Sequence, residues 1–354
     1  MEFALAIPAR PDAWKDIAIA EDCGFAQAWF YDSQMLYSDV YVSMALAAEH
    51  TRHIKLGTGV AIPSNRIEPV TAHSIATINQ MAPGRTILGL GTGFTGRNTM
   101  GLPAVPLAQL RAYVETVRGL LRGEEVMFRE GARERAIRFL HRDHGYINLK
   151  DPIPIHIAAD GPKALELTGE IGDGWMSVMS DAPGFARKFD AVRRGALRAG
   201  RSVDDMPTAI LTTGCVLRDG ETPTSPRVMA RVGAFAVVVL HAMWESSANP
   251  EGLPPHLGDI WKRYRDDYVA TIATPAEKRY LDMHEGHLIY MRPGEEKFVD
   301  DTLVQMMTLT GHADDIIARL KALEAAGLRQ IALQVLGNGR EMIEEFSRDV
   351  IARY

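Results

Sequence analysis

The stretch RTILGLGTGFTGRN, Arg85 to Asn98, decides the fold. Its apolar run, Ile87 to Leu90, reads as a strand. Directly behind it, Gly91 to Gly96 fits G-x-G-x-x-G, the spacing of a dinucleotide-binding turn. That reading needs a helix to open at the third glycine, so that its free N–H groups meet a pyrophosphate. Here Gly101, Pro103 and Pro106 fall where the first turns would lie. Proline removes an N–H and biases the residue before it away from helix. The spacing predicts a helix only from about Leu107, and a dinucleotide site is not expected. What survives is a strand whose following glycines let backbone pass close to something.

The same strand-then-helix unit repeats on either side. Upstream, Phe3 to Ala9, Ala26 to Asp32 and Ile54 to Val60 read as buried strands. Helices separate them: Asp12 to Gly24 with Asp12 as cap, then SDVYVSMALAAEHT capped by Ser38 or Asp39, then EPVTAHSIATINQMA. Downstream come a helix from Leu107 to Leu121 and a charged connection from Gly123 to Arg142. Strands follow at Ile153 to Ala159, Asp173 to Val178, near Ala209 to Val216, and Arg329 to Leu336. Apolar strands buried on both faces, alternating with helices, predict a parallel sheet. Eight of them in one chain predict a (β/α)8 TIM barrel, an α/β fold, as a single domain over 1–354. Residues from about 219 to 301 are too many for one crossover and predict a mainly helical insertion after strand seven.

Composition bounds the partners. The chain has 354 residues, 46% hydrophobic and 24% charged, enough for a sizeable core. Its net charge of −6 and the lack of a dense basic run argue against nucleic acid. No stretch approaches about 18 consecutive apolar residues and the N-terminus lacks a signal-peptide pattern, so no membrane is expected. Cys23 and Cys215 lie far apart in apolar contexts and fit buried thiols in a reducing cytoplasm.

A barrel of this kind carries its chemistry at the C-terminal ends of its strands. Those ends hold Pro8-Ala9, Tyr31-Asp32-Ser33, Gly57-Thr58-Gly59-Val60, Gly91-Thr92-Gly93 and Ala158-Ala159-Asp160-Gly161-Pro162. Small residues at three of these ends point to a large or flat ligand that approaches backbone. A helix that begins near Pro162 offers free N–H groups around Gly161 and Lys163 to an anion.

The order and spacing of AEDCGFAQAWFYD, IKLGTGVAIP, SIATINQMAPGRTILGLGTG and HIAADGPKALELTGEIGDGW make the chain resemble the luciferase-like monooxygenase superfamily. In particular it resembles the branch that uses the deazaflavin coenzyme F420, the methylene-tetrahydromethanopterin reductases among them. The resemblance covers Met1 to about Val178 and the last helix–strand–helix. It implies an oxidoreductase that moves a hydride between F420 and a small organic substrate, and a homodimer. FMN shares the ring shape and first phosphate, so an FMN-dependent monooxygenase is the alternative; a non-catalytic flavin-binding barrel is a second.

The resemblance also implies site residues. Thr92, Gly93, Thr95, Arg97 and Asn98 would line the cofactor or substrate side, Arg97 with an anion in reach. Gly59-Val60 would be a cis peptide that forms a bulge against the ring. Ala159, Gly161, Pro162 and Lys163 would hold the phosphate. Asp32 and Ser33 would be catalytic, Ser33 standing where several family members have histidine. Phe94 and Thr95 stand near where the sugar-phosphate dehydrogenases have glutamate. Tyr37, Phe94 and His156 would line the substrate pocket, although His156, between Ile155 and Ile157, also reads as a core residue. His284 and His287 supply only two ligands, so no metal is expected.

Overall fold

The computed structural model describes every residue except Met179 and Gly337. Eight parallel strands form its centre: β1 (Glu2–Pro8), β2 (Gln27–Tyr31), β3 (Lys55–Thr58), β4 (Thr86–Leu90), β7 (Ile155–Ala158), β8 (Gly174–Val178), β9 (Thr208–Val216) and β11 (Gln330–Gln334). Each pairs in parallel with the next. Pairing of β11 with β1 and of β8 with β9 closes the ring. The structure is the TIM barrel that the alternating pattern predicts. Between the strands lie α1 (Trp14–Asp22), α2 (Val40–His50), α3 (Glu68–Met81), α5 (Leu107–Leu121), α6 (Pro162–Ile171), α7 (Ala182–Arg198) and α12 (Ala313–Ala325), and α13 (Gly339–Asp349) ends the circuit.

Local chemistry explains several boundaries. Asp39 caps α2, its carboxylate accepting from the N–H groups of Tyr41 and Val42. Asp12 does not cap α1; it is held by Arg10, and α1 begins at Trp14 without a side-chain cap. The charged connection after α5 is not irregular: β5 (Val126–Glu130) and β6 (Arg133–Ile137) pair as a hairpin turned by Gly131 at φ +58°. Its alternation was hidden because its side chains are mostly exposed and charged.

The inside of the barrel is filled by a few large groups set among small ones. Trp29 is buried there, and a Cβ on Gly57 would stand 2.6 Å from its ring. A Cβ on Gly174 would stand 2.5 Å from the His156 ring. The two strand glycines therefore make room for Trp29 and His156. The Trp29 Nε1–H donates to Gln330 Oε1 at 2.8 Å, and the Gln330 amide donates to Gln27 at 3.0 Å.

The insertion after β9 is helical, as the sequence suggests. It contains α8 (Pro226–Glu245), α9 (Pro255–Arg263), α10 (Arg279–His284) and α11 (Asp301–Met307), and runs on to Met307. A short strand, β10 (Leu309–Gly311), then pairs beside the upper end of β9 before α12. The helix α8 is long and apolar enough to cross a membrane by length and composition, but 61% of that window is buried. It forms the centre of a second apolar core with Trp261, Tyr264, Met283 and Phe298.

Two helices meet with no room for a side chain. A Cβ on Gly195 of α7 would lie 1.8 Å from the Glu166 carbonyl oxygen of α6, and one on Gly169 would lie 1.9 Å from that of Val192. Backbone cannot yield as a flexible side chain can, so overpacking here must separate the helices. We expect Gly195→Ala to cost about 3 kcal/mol in unfolding free energy. Gly252→Ala, with open space around the site, should leave the thermal midpoint unchanged. An unaltered midpoint in Gly195→Ala would show that the helices do not meet this closely.

Candidate active site

Two cavities lie at opposite ends of the barrel. The larger, about 900 Å³, opens at the N-terminal ends of the strands beside Gln27, Lys55, His156 and Gln330. The smaller, about 420 Å³, lies at the C-terminal mouth. The mouth is the place where strand ends and loops converge, and it collects most of the residues the sequence singles out. The lower cavity belongs to the face that ordinarily serves stability.

The glycines of GTGFTG have direct physical jobs in this mouth. Gly91 admits the end of β3: a Cβ there would stand 2.7 Å from Val60 Cγ2. Gly89, earlier on β4, does the same for the Thr58 carbonyl, at 2.1 Å. Gly93 sits at φ +84° and turns the chain into α4 (Phe94–Asn98), a single turn of helix. A helix does therefore form before Leu107, but it ends within five residues, and the long α5 begins at Leu107. The Gly59-Val60 peptide bond is cis. Val60 lines the pocket with Ile62, Ala158, Leu211 and Leu288.

At the other end of the pocket, Gly161 is the N-cap of α6, and no side chain caps that helix. A Cβ on Gly161 would meet nothing within 4 Å. Free N–H groups thus face open space, with Pro162 in the first turn. Lys163 is exposed on the same turn, and neither it nor Pro162 lines the pocket. Asp160 does not cap the helix. Its Oδ1 accepts from Ser177 Oγ and from Lys188 Nζ, each at 2.6 Å, which turns its charge toward β8 and α7.

Asp32 directly follows β2 but is only 6% exposed and lies outside the pocket lining. Arg66 Nη1 donates to it at 2.8 Å, and Arg66 also reaches Asp39 and lies over the Tyr41 ring. Burial pushes the Asp32 carboxyl up from its ordinary range, against the opposing pull of Arg66. Ser33, the next residue, does line the pocket. So do Tyr31 and Tyr37, whose hydroxyls are raised by burial and serve as donors, Tyr31 to Gln334 and Tyr37 to the His287 carbonyl.

The mouth brings together Ser33, Tyr37, Gly59, Val60, Thr92, Gly93, Phe94, Thr95, Ala159 and Gly161. It leaves out His156, which lies below Trp29 with its ring 5.5 Å from the indole and faces the lower cavity. Strand alternation points it into the barrel, but it is the second residue of β7 and stands too low for the mouth. Arg97 also lies outside the lining, its guanidinium donating to the Pro103 carbonyl. Asn98 stands beyond it on α4. The reading missed Arg66, for which the polar run after β3 was the only signal. It singled out His287 only as one of two insufficient metal ligands, not as a residue over the mouth, and Leu288 not at all. The insertion reaches over the mouth, and three side chains from the barrel hold this segment. Tyr37 donates to the His287 carbonyl at 3.0 Å, Gln334 donates to the Leu288 carbonyl at 2.6 Å, and Thr95 Oγ1 lies 3.1 Å from His287 Nε2. Among the described residues, no three histidine, cysteine or acidic side chains are placed to hold a metal ion.

Comparison with known proteins agrees with this architecture. A family model described as luciferase-like monooxygenase matches residues 9–330. The 5,10-methylenetetrahydromethanopterin reductase of Archaeoglobus fulgidus is 29% identical over 319 residues, which cover 89% of this chain and 86% of that protein. The F420-dependent glucose-6-phosphate dehydrogenase of Nakamurella multipartita is 29% identical over 351 residues, 90% of this chain and 95% of that one. Among solved structures, the coenzyme F420-dependent tetrahydromethanopterin reductase from Methanopyrus kandleri superposes with a TM-score of 0.71 at 23% identity, covering 100% and 99% of the two chains.

The Asp32–Arg66 pair makes a testable statement. Arg66→Met removes the cation that opposes burial, so the folded-state pKa of Asp32 climbs further above its unfolded value of about 3.9. The folded variant then keeps a proton that the unfolded chain releases. Its stability is greatest below about pH 4 and falls as pH rises through the raised pKa. At neutral pH we expect a loss of about 2–4 kcal/mol, most of it regained in Arg66→Met/Asp32→Asn. Urea unfolding at acid and neutral pH reads both; equal losses at the two pH values would show that Asp32 carries no uncompensated charge.

Proposed function

The chain belongs to the luciferase-like monooxygenase family, and we propose that within it the protein is an F420-dependent oxidoreductase acting on a small organic substrate. One observation carries the reading. The mouth pocket runs from apolar walls at Val60, Leu211 and Leu288 to the uncapped start of α6, where Gly161 leaves open space. A flat, apolar ring with an anionic tail matches that sequence of surfaces. Relatives named as F420-dependent glucose-6-phosphate dehydrogenases, which align with 86% to 90% of this chain, support the deazaflavin over FMN.

When bound, the deazaflavin supplies or accepts the hydride, and the protein supplies position and proton control. In this reading the N–H groups at Gly161 take the phosphate, and Lys163, on the same turn, adds a screened positive charge. Val60 and the glycines of β4 present a close, apolar face to the ring. Asp32 acts indirectly: its ion pair with Arg66 fixes the end of β2, and Ser33 then presents its hydroxyl to the pocket. Leu288 roofs the site and excludes water.

Titration of the apo-protein with F420 and with FMN, followed by fluorescence, tests this reading. F420 should bind more tightly; preference for FMN would sink the deazaflavin assignment. Gly161→Val should fold as the wild type does, because the space is open. Its added bulk should weaken F420 binding at least about tenfold, some 1.4 kcal/mol. Lys163→Ala should weaken binding more at low salt than at high salt. Unchanged affinity in both variants would place the phosphate elsewhere.

A further inference from the structure

The cavity of about 900 Å³ at the N-terminal end of the barrel takes no part in the function proposed above. Side chains ordinarily fill the inside of an eight-stranded barrel. Below Trp29 that filling stops. Gln27, Ile87, His156 and Ala209 line the deep end of the hollow, and the exposed residues Lys55, Arg122 and Arg329 line its outer end. Two of the deep groups have no partner in the protein: Gln27 Nε2 and His156 Nδ1 are buried and unbonded, in residues only 2% and 5% exposed. The Gln27 amide cannot turn to mend this. The Trp29 N–H fixes Gln330 Oε1 as an acceptor, so the Gln330 amide nitrogen donates to Gln27 Oε1, and Gln27 Nε2 is left a donor. Buried polar groups without partners are uncommon, because each has given up its hydration for nothing.

We propose that this cavity is a second binding site, separate from the mouth, for a small organic monoanion. Its carboxylate meets the outer cations, and an uncharged hydrogen-bonding group at its far end reaches Gln27 and His156. The indole of Trp29, with its ring 5.5 Å from the imidazole, closes the upper side, so a ligand here stays below the mouth.

The polarity of the ligand follows from the lining. The deep end is neutral. Burial pushes the His156 imidazole down to about 4, Asp173 opposing and Lys55 assisting, so the ring carries one N–H and one lone pair. Gln27 adds an N–H. A hydroxyl both donates and accepts and so suits this end, whereas a charge would find no counter-ion there. Ile87 and Ala209, packed in one apolar cluster with Trp29, suit a ring or short carbon chain above that group. The outer end is cationic. Arg118 is already tied to Asp173 at 3.1 Å and to the Ile171 carbonyl. Among the described residues Arg122 and Arg329 form no ion pair, and Lys55 reaches Glu2 only at 3.9 Å. Against these three cations the lining sets two further acids, Glu2 and Asp205, so one positive charge is in excess. Low-dielectric walls around such a rim concentrate an anion.

Titration of the full chain with 4-hydroxybenzoate tests the site, with nitrogen NMR of the His156 side chain and calorimetry as readouts. We expect the His156 resonances to shift saturably, with a Kd of about 1 mM or tighter. Benzoate, which lacks the far hydroxyl, and 4-hydroxybenzamide, which lacks the charge, should each bind at least about fivefold more weakly. Lys55→Gln, at an exposed position, folds as the wild type does and should remove most of the advantage of the acid over the amide. His156→Leu, of similar volume, should bind 4-hydroxybenzoate no better than benzoate; if it does not fold, Lys55→Gln and the two analogues carry the test. Gly161→Val, at the mouth, should leave the affinity unchanged. Absence of a saturable shift, equal affinity for acid and amide, or wild-type preference in Lys55→Gln overturns the proposal. So does weaker binding in Gly161→Val, which would put the ligand at the mouth. None of these outcomes depends on whether F420 binds.

Discussion

Trp29 divides the inside of the barrel. Gln27, Trp29 and Tyr31 alternate inward along β2, so the indole stands between a lower cavity that Gln27 lines and an upper one that Tyr31 lines. A closed ring of eight strands encloses little space, and an indole that size fits only because Gly57 lies against it. The hydrogen bond from its Nε1 to Gln330 fixes its tilt across the barrel, between strands that are neighbours of β1. The floor of the mouth and the height of everything above it follow from that placement. Burial of so large a group is worth several kcal/mol, and truncation would open a void joining the two cavities.

The roof follows a different rule. The insertion has its own apolar core around Trp261, Tyr264 and α8, with the buried carboxylate of Glu295 against it. Burial pushes Glu295 up, yet His241, Tyr264 and the Arg292 N–H together hold it below the usual carboxylate range. A satisfied polar network of this kind specifies one arrangement of the surrounding helices, because any other would strand a charge. A second ionic cluster, Arg218, Arg227 and Arg231 against Glu341 and Glu345, ties α8 to α13 of the barrel. The segment His287–Leu288 therefore reaches the mouth from a helical insertion that has its own core and is tied to α13. Leu288 adopts φ +62° there, its carbonyl held by Gln334 while Tyr37 and Thr95 hold His287 beside it.

Much of the barrel was legible because its signals are local. Apolar runs buried on both faces name the strands, and Gly24, Gly84 and Pro83 mark the stops. The hairpin β5–β6 escaped because exposed charged strands carry no apolar alternation. Asp12 was misjudged as a cap because a carboxylate near a helix start has competing partners, and Arg10 was closer. Of the site, the glycines and hydroxyls at the strand ends were legible, since residues at a barrel's C-terminal mouth converge whatever the loops do. His156 shows the limit: its inward direction was readable, its depth was not. Depth depends on the shear between strands, here His156 opposite Gly89 and Gly174.

By itself the sequence determined the alternation, hence the parallel barrel, and the clustering of Gly59, Gly91, Gly93 and Gly161 at its mouth. Those follow from the two-residue period of strands and from what a missing Cβ permits. Only the tertiary structure decided which charges meet and what closes the site. Arg66 finds Asp32 across 34 residues, and His287 finds Thr95 across 192. No local pattern encodes such pairs, because they arise when rigid elements dock and each buried polar group takes the partner that packing leaves within reach.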